Sequence, residues 1–351
     1  MTKQNTPKNQ LITIYDVARE SGVSYSTVSR VLNGFEFVKE GTRQKVLEAA
    51  ERLGYVANLQ ARSLAGGRSS VVGVLVPGID NSYITEIVAG IDDELGQSNF
   101  NLMLYTTHRH MGKEAQYVNM IANGMSDGIL LVVPLAIEAY LKTLRDRQFP
   151  YVLIDQHDPL GKSTEIVTTN RKGAYEAVSY LIELGHRRIA FITGLLVLYS
   201  TGERLAGYKE ALSDHNIPID ERYIVEGDFW EHEAYQATKR LLNLDPLPTA
   251  IFASNDLTAL GAMVAIREHG LQIPEDISII GFDDIPEAAF VHPKLTTVRQ
   301  PLVKMGRAAV QQLFETLDNL DRPSGQIVLD TELIIRDSCQ PPRSMANERH
   351  T

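Results

Sequence analysis

Cysteine is almost absent. Cys339 is the single one in 351 residues, which rules out an intrachain disulfide framework and a cluster of thiolate metal ligands. No stretch approaches the roughly 20 apolar residues of a membrane-spanning helix, and the opening MTKQNTPKNQ has no hydrophobic signal region. A cytoplasmic protein with no membrane partner is therefore expected. Fingerprints of catalysis are missing as well, with neither a GxSxG elbow nor a GxGxxG loop. Gly161-Lys162-Ser163 matches the end of a phosphate-binding loop, but Gln156 stands where its first glycine is required. His232-Glu233 opens like a zinc-protease helix, and Gln236 replaces the second histidine. His108, His110, His186 and His215 lack metal-ligand spacing. The expectation is a protein that is not an enzyme, with no catalytic residue, no metal and no cofactor.

Positive charge is in the minority, and it is unevenly placed. The net charge is −10, yet residues 1–70 hold ten Lys and Arg against six Asp and Glu, a net +4, leaving 24 against 38, a net −14, for the rest. A cationic head suits a polyanion such as a phosphate backbone, and such binding weakens steeply with salt. An acidic body limits adventitious contacts of the same kind. Taken alone, +4 is equally an ordinary solvated surface. With 44% apolar residues there is room for a small head and a large core of one or two lobes.

Residues Thr13 to Gly34, TIYDVARESGVSYSTVSRVLNG, spell two short amphipathic helices around a tight turn. Thr13 with Asp16 three residues on is a capping-box-like start, and Ile14, Val17 and Ala18 recur at helical spacing. Gly22 ends the first helix and Ser24 can cap the second. Val28, Val31 and Leu32 then face inward while Tyr25, Ser26, Ser29 and Arg30 face outward, until Asn33 and Gly34 stop the helix. That is the geometry of a helix-turn-helix whose second helix enters the major groove. A plain helical hairpin with a solvated face is the alternative. Thr42 is expected to open a third helix packed through Val46, Ala49, Ala50 and Leu53 and stopped by Gly54. Beyond it, YVANLQARSLA (55–65) reads as a short helix capped by Asn58 and followed by Gly66-Gly67; so short a helix is marginal by itself in water.

Past this linker, apolar β-branched runs at Val71 to Pro77, Asn101 to Thr107, Gly128 to Pro134, Tyr151 to Asp155, Arg188 to Gly194, Ala250 to Ser254 and Ile277 to Gly281 mostly alternate with helical stretches. Continuous apolar runs indicate parallel strands buried on both faces, and their two similar sets suggest two doubly wound lobes. In such sheets ligands bind beyond the carboxyl ends of the strands, where Asp80, Asn81 and Tyr83, Asp155, Asn255 and Asp256, and Asp283 and Asp284 gather. Carboxylates and amides beside Arg204 suit a polyhydroxylated ligand, whose hydroxyls both donate and accept. Phe229, Trp230 or Tyr83 could cover its C–H face. Asp256 and Asp284 equally serve as caps or loop ties, and Trp230 as core or surface.

The motifs TIYDVA (13–18), GVSYSTVSRVLNG (22–34), LGY (53–55), ARSL (61–64), RLAGY (204–208), SND (254–256) and GFDD (281–284) occur in one order. With them the chain resembles the lactose/galactose repressor (LacI/GalR) family of bacterial transcription regulators, from about Thr13 to about Asp337. The resemblance implies an N-terminal all-α helix-turn-helix head (1–57), a hinge helix and linker (58–70), and an α/β two-lobed core like a periplasmic binding protein, built of doubly wound parallel sheets (71–340). The first lobe would take about 71–168 and 302–329, the second about 169–299 and 330–340, and the tail 341–351 would be disordered. It further implies that Thr13, Tyr15, Ser24, Tyr25, Ser26, Thr27, Ser29, Arg30 and Asn33 meet DNA, Tyr25 and Ser26 reading bases. Asn58, Ala61 and Leu64 would serve the hinge contact, Leu64 as a wedge in the minor groove; Ala57 stands where the family commonly has proline. Effector contacts carry over to Asn81, Tyr83, Asp155, Ser200, Arg204, Phe229, Asn255, Asp283 and Gln300.

The expected protein is a sequence-specific repressor of carbohydrate-use genes, a homodimer on palindromic operator DNA that a small sugar releases. The ending SCQPPRSMANERHT has paired prolines and no heptads, unlike a tetramerising helix. Rival readings are a regulator that takes a purine or a partner protein as corepressor, and a sugar-binding module without DNA function.

Overall fold

The computed structural model describes residues 12–32, 37–55, 69–320 and 322–343. The chain forms two compact units that meet between Ser69 and Ser70. In the first unit, helices α1 (Ile14–Ser21), α2 (Tyr25–Leu32) and α3 (Glu40–Leu53) enclose Val17, Val28, Val31, Val46, Ala49 and Ala50. At the start of α1 the Asp16 carboxylate accepts the Thr13 N–H at 2.9 Å and its hydroxyl at 2.7 Å, which fixes the first turn and holds the Asp16 pKa below the usual carboxylate range. Gly22 ends α1 at φ 68°, a left-handed conformation that costs glycine nothing. The Ser24 hydroxyl then accepts the Thr27 N–H at 3.3 Å and starts α2. The third helix begins at Glu40 rather than at Thr42: the Lys39 carbonyl already accepts the N–H groups of Thr42 and Arg43, and Glu40 complements the positive helix end.

The second unit runs through β1 (Val71–Val76), α4 (Ser82–Leu95), β2 (Asn101–Thr106), α5 (Met111–Ala122), β3 (Gly128–Val132), α6 (Leu141–Asp146), β4 (Tyr151–Ile154) and β5 (Thr164–Thr168). It continues with α7 (Asn170–Glu183), β6 (Ile189–Thr193), α8 (Tyr199–Asp214), β7 (Ile224–Glu226), α9 (Glu231–Leu241), β8 (Ala250–Ala253), α10 (Asp256–Glu268), β9 (Ser278–Asp283) and β10 (Thr296–Arg299). Helix α11 (Leu302–Asp318), β11 (Gln326–Leu329) and β12 (Glu332–Ile334) complete it. One sheet has the order β11-β5-β4-β3-β1-β2 and is parallel throughout; the other has the order β12-β10-β9-β8-β6-β7 and is parallel except for β12.

Each sheet is covered on both faces because its strands are apolar at successive residues. In the first, Val72, Val74, Leu130 and Val152 pack with Ile87 and Ile91 of α4 and Met305 and Leu313 of α11, while Leu75, Ile129, Leu131 and Leu153 pack on the other side with Ile121 and Tyr140. In the second, Ile192, Ile251 and Ile279 join Ala237 and Met263 on one face, and Phe191, Phe252 and Phe282 join Val178 and Tyr208 on the other. A fully buried Val, Leu or Ile contributes about 1.5–3 kcal/mol, so these layers hold the strand ends rigid.

The chain passes between the sheets at 168–170, 299–302 and 329–332. Side chains stitch these passages together: Thr168 donates to Gln300 Oε1 at 2.6 Å, and the Thr169 and Thr331 hydroxyls lie 2.9 Å apart. Strand β1 sits between β2 and β3, and β6 between β7 and β8, so each sheet has a point where the strand order reverses. Crevices form at such points, at the carboxyl ends of the strands.

Candidate functional site

A cavity of about 100 Å³ opens where loops from the carboxyl ends of both sheets converge. On a scale where ~10–15 Å³ admits one water, it has room for several. From the first sheet come Asn81 and Tyr83 after β1, Arg109 after β2, Val133 after β3 and Asp155 after β4. The second sheet supplies Ser200 and Arg204 on α8, Asp228, Phe229 and Trp230 after β7, Asn255 after β8 and Asp283 at the end of β9. Val133, Asp155, Asp228, Phe229 and Asp283 have φ of 46°, 54°, 56°, 63° and 113°. Five non-glycine residues in this disfavoured region around one cavity mark a site the surrounding packing has forced into shape, at roughly 1–3 kcal/mol each.

Arg204 is the centre of the second-sheet wall and is 2% exposed. Its Nε donates to Asn170 Oδ1 at 2.8 Å, Nη1 donates to the Ser254 carbonyl, Nη2 lies 3.7 Å from Asp283 Oδ1, and the guanidinium covers the Phe282 ring at 3.8 Å. Asp283 also accepts from Gln300 Nε2 at 2.7 Å. Burial pushes the Asp283 carboxyl up to about 7 despite Arg204 and Gln300, which favour its charge. Asp155 is likewise buried and raised, with Arg204 and the Tyr83 hydroxyl, which donates to Oδ2 at 2.8 Å, opposing the shift. Its Oδ1 accepts no hydrogen bond among the described residues, and neither does Asn170 Nδ2 donate one. A buried carboxylate oxygen without a donor is costly unless a ligand or water supplies one.

Asn81 and Asn255 have a shared design. Each carbonyl caps the helix that starts at the cavity, accepting Ile84 N–H at 3.0 Å and Thr258 N–H at 2.9 Å respectively. The Asn255 amide nitrogen also donates to the Phe229 carbonyl at 3.2 Å, which tethers the loop after β7. Phe229 can lie against the end of β6 only because residue 194 is glycine: a Cβ there would meet the ring at 2.0 Å. Gln300 is 4% exposed and stands behind Asp283, off the cavity wall. Asp256 and Asp284 are loop ties: Asp256 accepts from Thr297 Oγ1 and Ile285 N–H, and Asp284 pairs with Arg299 and Arg336. His186 is a core residue bonded to Thr249, Ser278 and the Gln340 carbonyl. Arg109 and Asp228 were not singled out from sequence, since nothing in HRH (108–110) or GDF (227–229) marks them as wall residues.

In the first unit, Tyr25, Ser24, Ser26 and Arg30 are exposed along one side of α2, and Ser29 and Thr27 are partly so. Tyr15 of α1, 67% exposed, stacks on Tyr25 with ring centroids 5.0 Å apart and an interplanar angle of 20°. The Ser24 hydroxyl lies 2.9 Å from those of Ser26 and Thr27, and Thr13 is held by Asp16. This presents a polar face with a two-ring platform on a helix backed by a small apolar core, the arrangement a helix-turn-helix requires. Asn33, Asn58, Ala61 and Leu64 lie outside the described residues. Among the described residues no His, Cys, Asp and Glu group could hold a metal ion, and no helix is long and apolar enough to cross a membrane.

A DNA-reading head and a two-sheet receptor core thus define a regulator of the ligand-binding class. Residues 13–58 match the family of bacterial regulatory proteins of the lacI type, and residues 178–339 match the periplasmic binding protein-like domain. Catabolite control protein A of Priestia megaterium is 36% identical over 328 residues, covering 93% of this chain and 99% of that protein. The HTH-type transcriptional repressor PurR of Vibrio atlanticus (strain LGP32) is 36% identical over 329 residues, with 93% and 98% covered. Among solved structures, the lac repressor dimer bound to operator and the anti-inducer ONPF matches with a TM-score of 0.82 and 30% identity, over 94% of this chain and 100% of that one. The complex of transcriptional regulator CelR with cellobiose matches with a TM-score of 0.72 and 31% identity, over 93% and 99%. The chain belongs to the lacI family of bacterial regulatory proteins, DNA-binding transcription regulators with a helix-turn-helix head and a periplasmic-binding-protein-like core.

Proposed function

We propose that the protein is a cytoplasmic, non-enzymatic repressor whose effector is a small polyhydroxylated molecule bound in the cavity between the two sheets. The observation that carries this reading is the Asp155 carboxylate, 3% exposed, whose buried Oδ1 lacks a hydrogen-bond donor among the described residues, in a residue that lines the cavity with Arg204, Asn255 and Asp283. A hydroxyl donates to such an oxygen and accepts from a guanidinium or amide, whereas an apolar ligand would leave it unpaired. Asn81 and Tyr83 complete the wall, Ser200 flanks Asp155, Phe229 offers an apolar face, and Gln300 acts by orienting Asp283. The relative crystallised with cellobiose supports a carbohydrate. A purine is the second reading, with Phe229 and Trp230 as stacking partners.

Two chains pair about a two-fold axis and set their heads on a palindromic operator, with Tyr25 and Ser26 toward base edges, Arg30 toward a base or phosphate, Ser24, Thr27, Ser29 and Asn33 toward the backbone, and Thr13 and Tyr15 also against DNA. Residues 58–70 would form the hinge between head (1–57) and core (71–340), with Asn58, Ala61 and Leu64 against DNA. Effector binding shifts the lobes and weakens the operator complex. Titration calorimetry of the full chain against mono- and disaccharides, hypoxanthine and guanine tests the ligand class. A saccharide that binds wild type and binds Asp155→Asn roughly 10–100-fold more weakly is the expected result; purine binding unaffected by that change would overturn it.

A further inference from the structure

Two arginines reach the cavity wall in opposite states. Arg204 commits Nε to Asn170 and Nη1 to the Ser254 carbonyl, and turns Nη2 toward Asp283. Arg109 lies with its guanidinium carbon 3.5 Å from the centre of the Trp230 ring, and among the described residues that guanidinium donates no hydrogen bond. Its nearest carboxylate, Asp80, is 4.0 Å away and 63% exposed, too far to bond and well screened. The Arg109 side chain is 36% exposed, and its partial burial lowers its pKa against the attraction of Asp80, Asp228 and Glu233.

A planar fork of N–H donors, held flat by an indole and left unbonded, matches an acceptor with two oxygens side by side. Asp155 Oδ1 requires the reverse, a donor. We infer that the effector is a small polyhydroxylated acid, whose single anionic group sits on Arg109 while a hydroxyl donates to Asp155. The inference rests on the reading of the cavity as a polyol receptor and adds the charge of what it receives. Asp155 and Asp283 line the Arg204 end of the cavity and oppose a second negative group there, which favours the charge at the Arg109 end. Both a carboxylate and a phosphate ester offer the paired oxygens.

The test is titration calorimetry of the full chain with D-glucose and D-galactose against D-gluconate, D-glucuronate, D-galacturonate and D-glucose 6-phosphate. At least one acid is expected to bind roughly tenfold or more tightly than its neutral counterpart. Arg109→Gln should bring that ratio to within about threefold of unity, and Arg109→Lys, with the charge but not the fork, should retain part of it. Whether the carboxylates or the phosphate ester gain identifies the anionic group. Neutral sugars binding as tightly as every acid, or a preference that survives Arg109→Gln, would overturn the inference while leaving the receptor reading intact. If no sugar of either kind binds, both fall.

Discussion

The two walls of the cavity are built to different degrees of completion. On the second-sheet side, Arg204, Asn255 and Asp283 are each bonded to a protein neighbour: Asn170 and Ser254, Phe229, and Gln300 respectively. On the first-sheet side, Asp155 accepts from Tyr83, with Ser200 and Asn170 beside it, and its buried Oδ1 lacks a hydrogen-bond donor among the described residues. The difference assigns roles. On the proposed reading the second-sheet wall is a preformed template, and ligand contact with Asp155 would tie one sheet to the other. Preformed groups lower the ordering cost of binding, and the open group supplies differential affinity between lobe arrangements.

The largest effect that would sharpen this contrast is on stability. Arg204→Ala leaves the buried Asp283 without its cation and should destabilise the core by about 3–5 kcal/mol, measured by urea unfolding. Asp155→Asn should change the same transition by less than about 1 kcal/mol, since it removes a buried charge that the free protein under-pairs. The next largest effect is on binding: Asp155→Asn should weaken the effector by roughly 10–100-fold, the worth of a hydrogen bond to a charged group, read by calorimetry. Equal losses of stability in the two variants would erase the distinction between the walls.

A third test uses pH. Asp283 titrates at about 7 in the folded chain against 3.8 for a free carboxyl, so between those values the folded state holds a proton the unfolded state has lost. Stability therefore falls as pH rises from about 4 to 7, at up to about 1.4 kcal/mol per unit for this group, and Asp283→Asn should remove that component. His186 acts in the opposite sense. Its pKa is pushed from 6.5 to about 4 by burial, so the stability it confers is present above 6.5 and is lost as pH falls toward 4. Urea unfolding of wild type and Asp283→Asn across this range separates the two. The smallest effect is in the head: Arg30→Ala should reduce the salt slope of operator binding by about 1 and leave effector binding by the core unchanged.

How much of this is legible in sequence follows from what each element buries. Strands β1, β3, β4, β6, β8 and β9 read as apolar runs because both their faces are covered. Strand β10, TTVR, lies inside its sheet yet escapes such a reading: Thr296 and Thr297 are fully buried by bonding to Arg336 and Asp256 instead of by being apolar. The short or half-exposed β7, β11 and β12 lack the pattern because of their position, and β5, TEIVT, lacks it because Glu165 and Thr168 are buried polar residues. In the site, residues that directly follow apolar runs, such as Asp155, Asn255 and Asp283, could be found by the strand-end rule. Arg109 could not, because its place depends on Trp230, which is 121 positions later in the chain and comes from the other sheet.

The account turns on one coupling, and operator affinity measures it directly. With a duplex selected by the full chain, and a saccharide shown by calorimetry to bind it, the dissociation constant for DNA should rise by about 5–150-fold at saturating ligand, the usual range of such coupling. An unchanged constant at full occupancy of the cavity would contradict the claim that the receptor core governs the head.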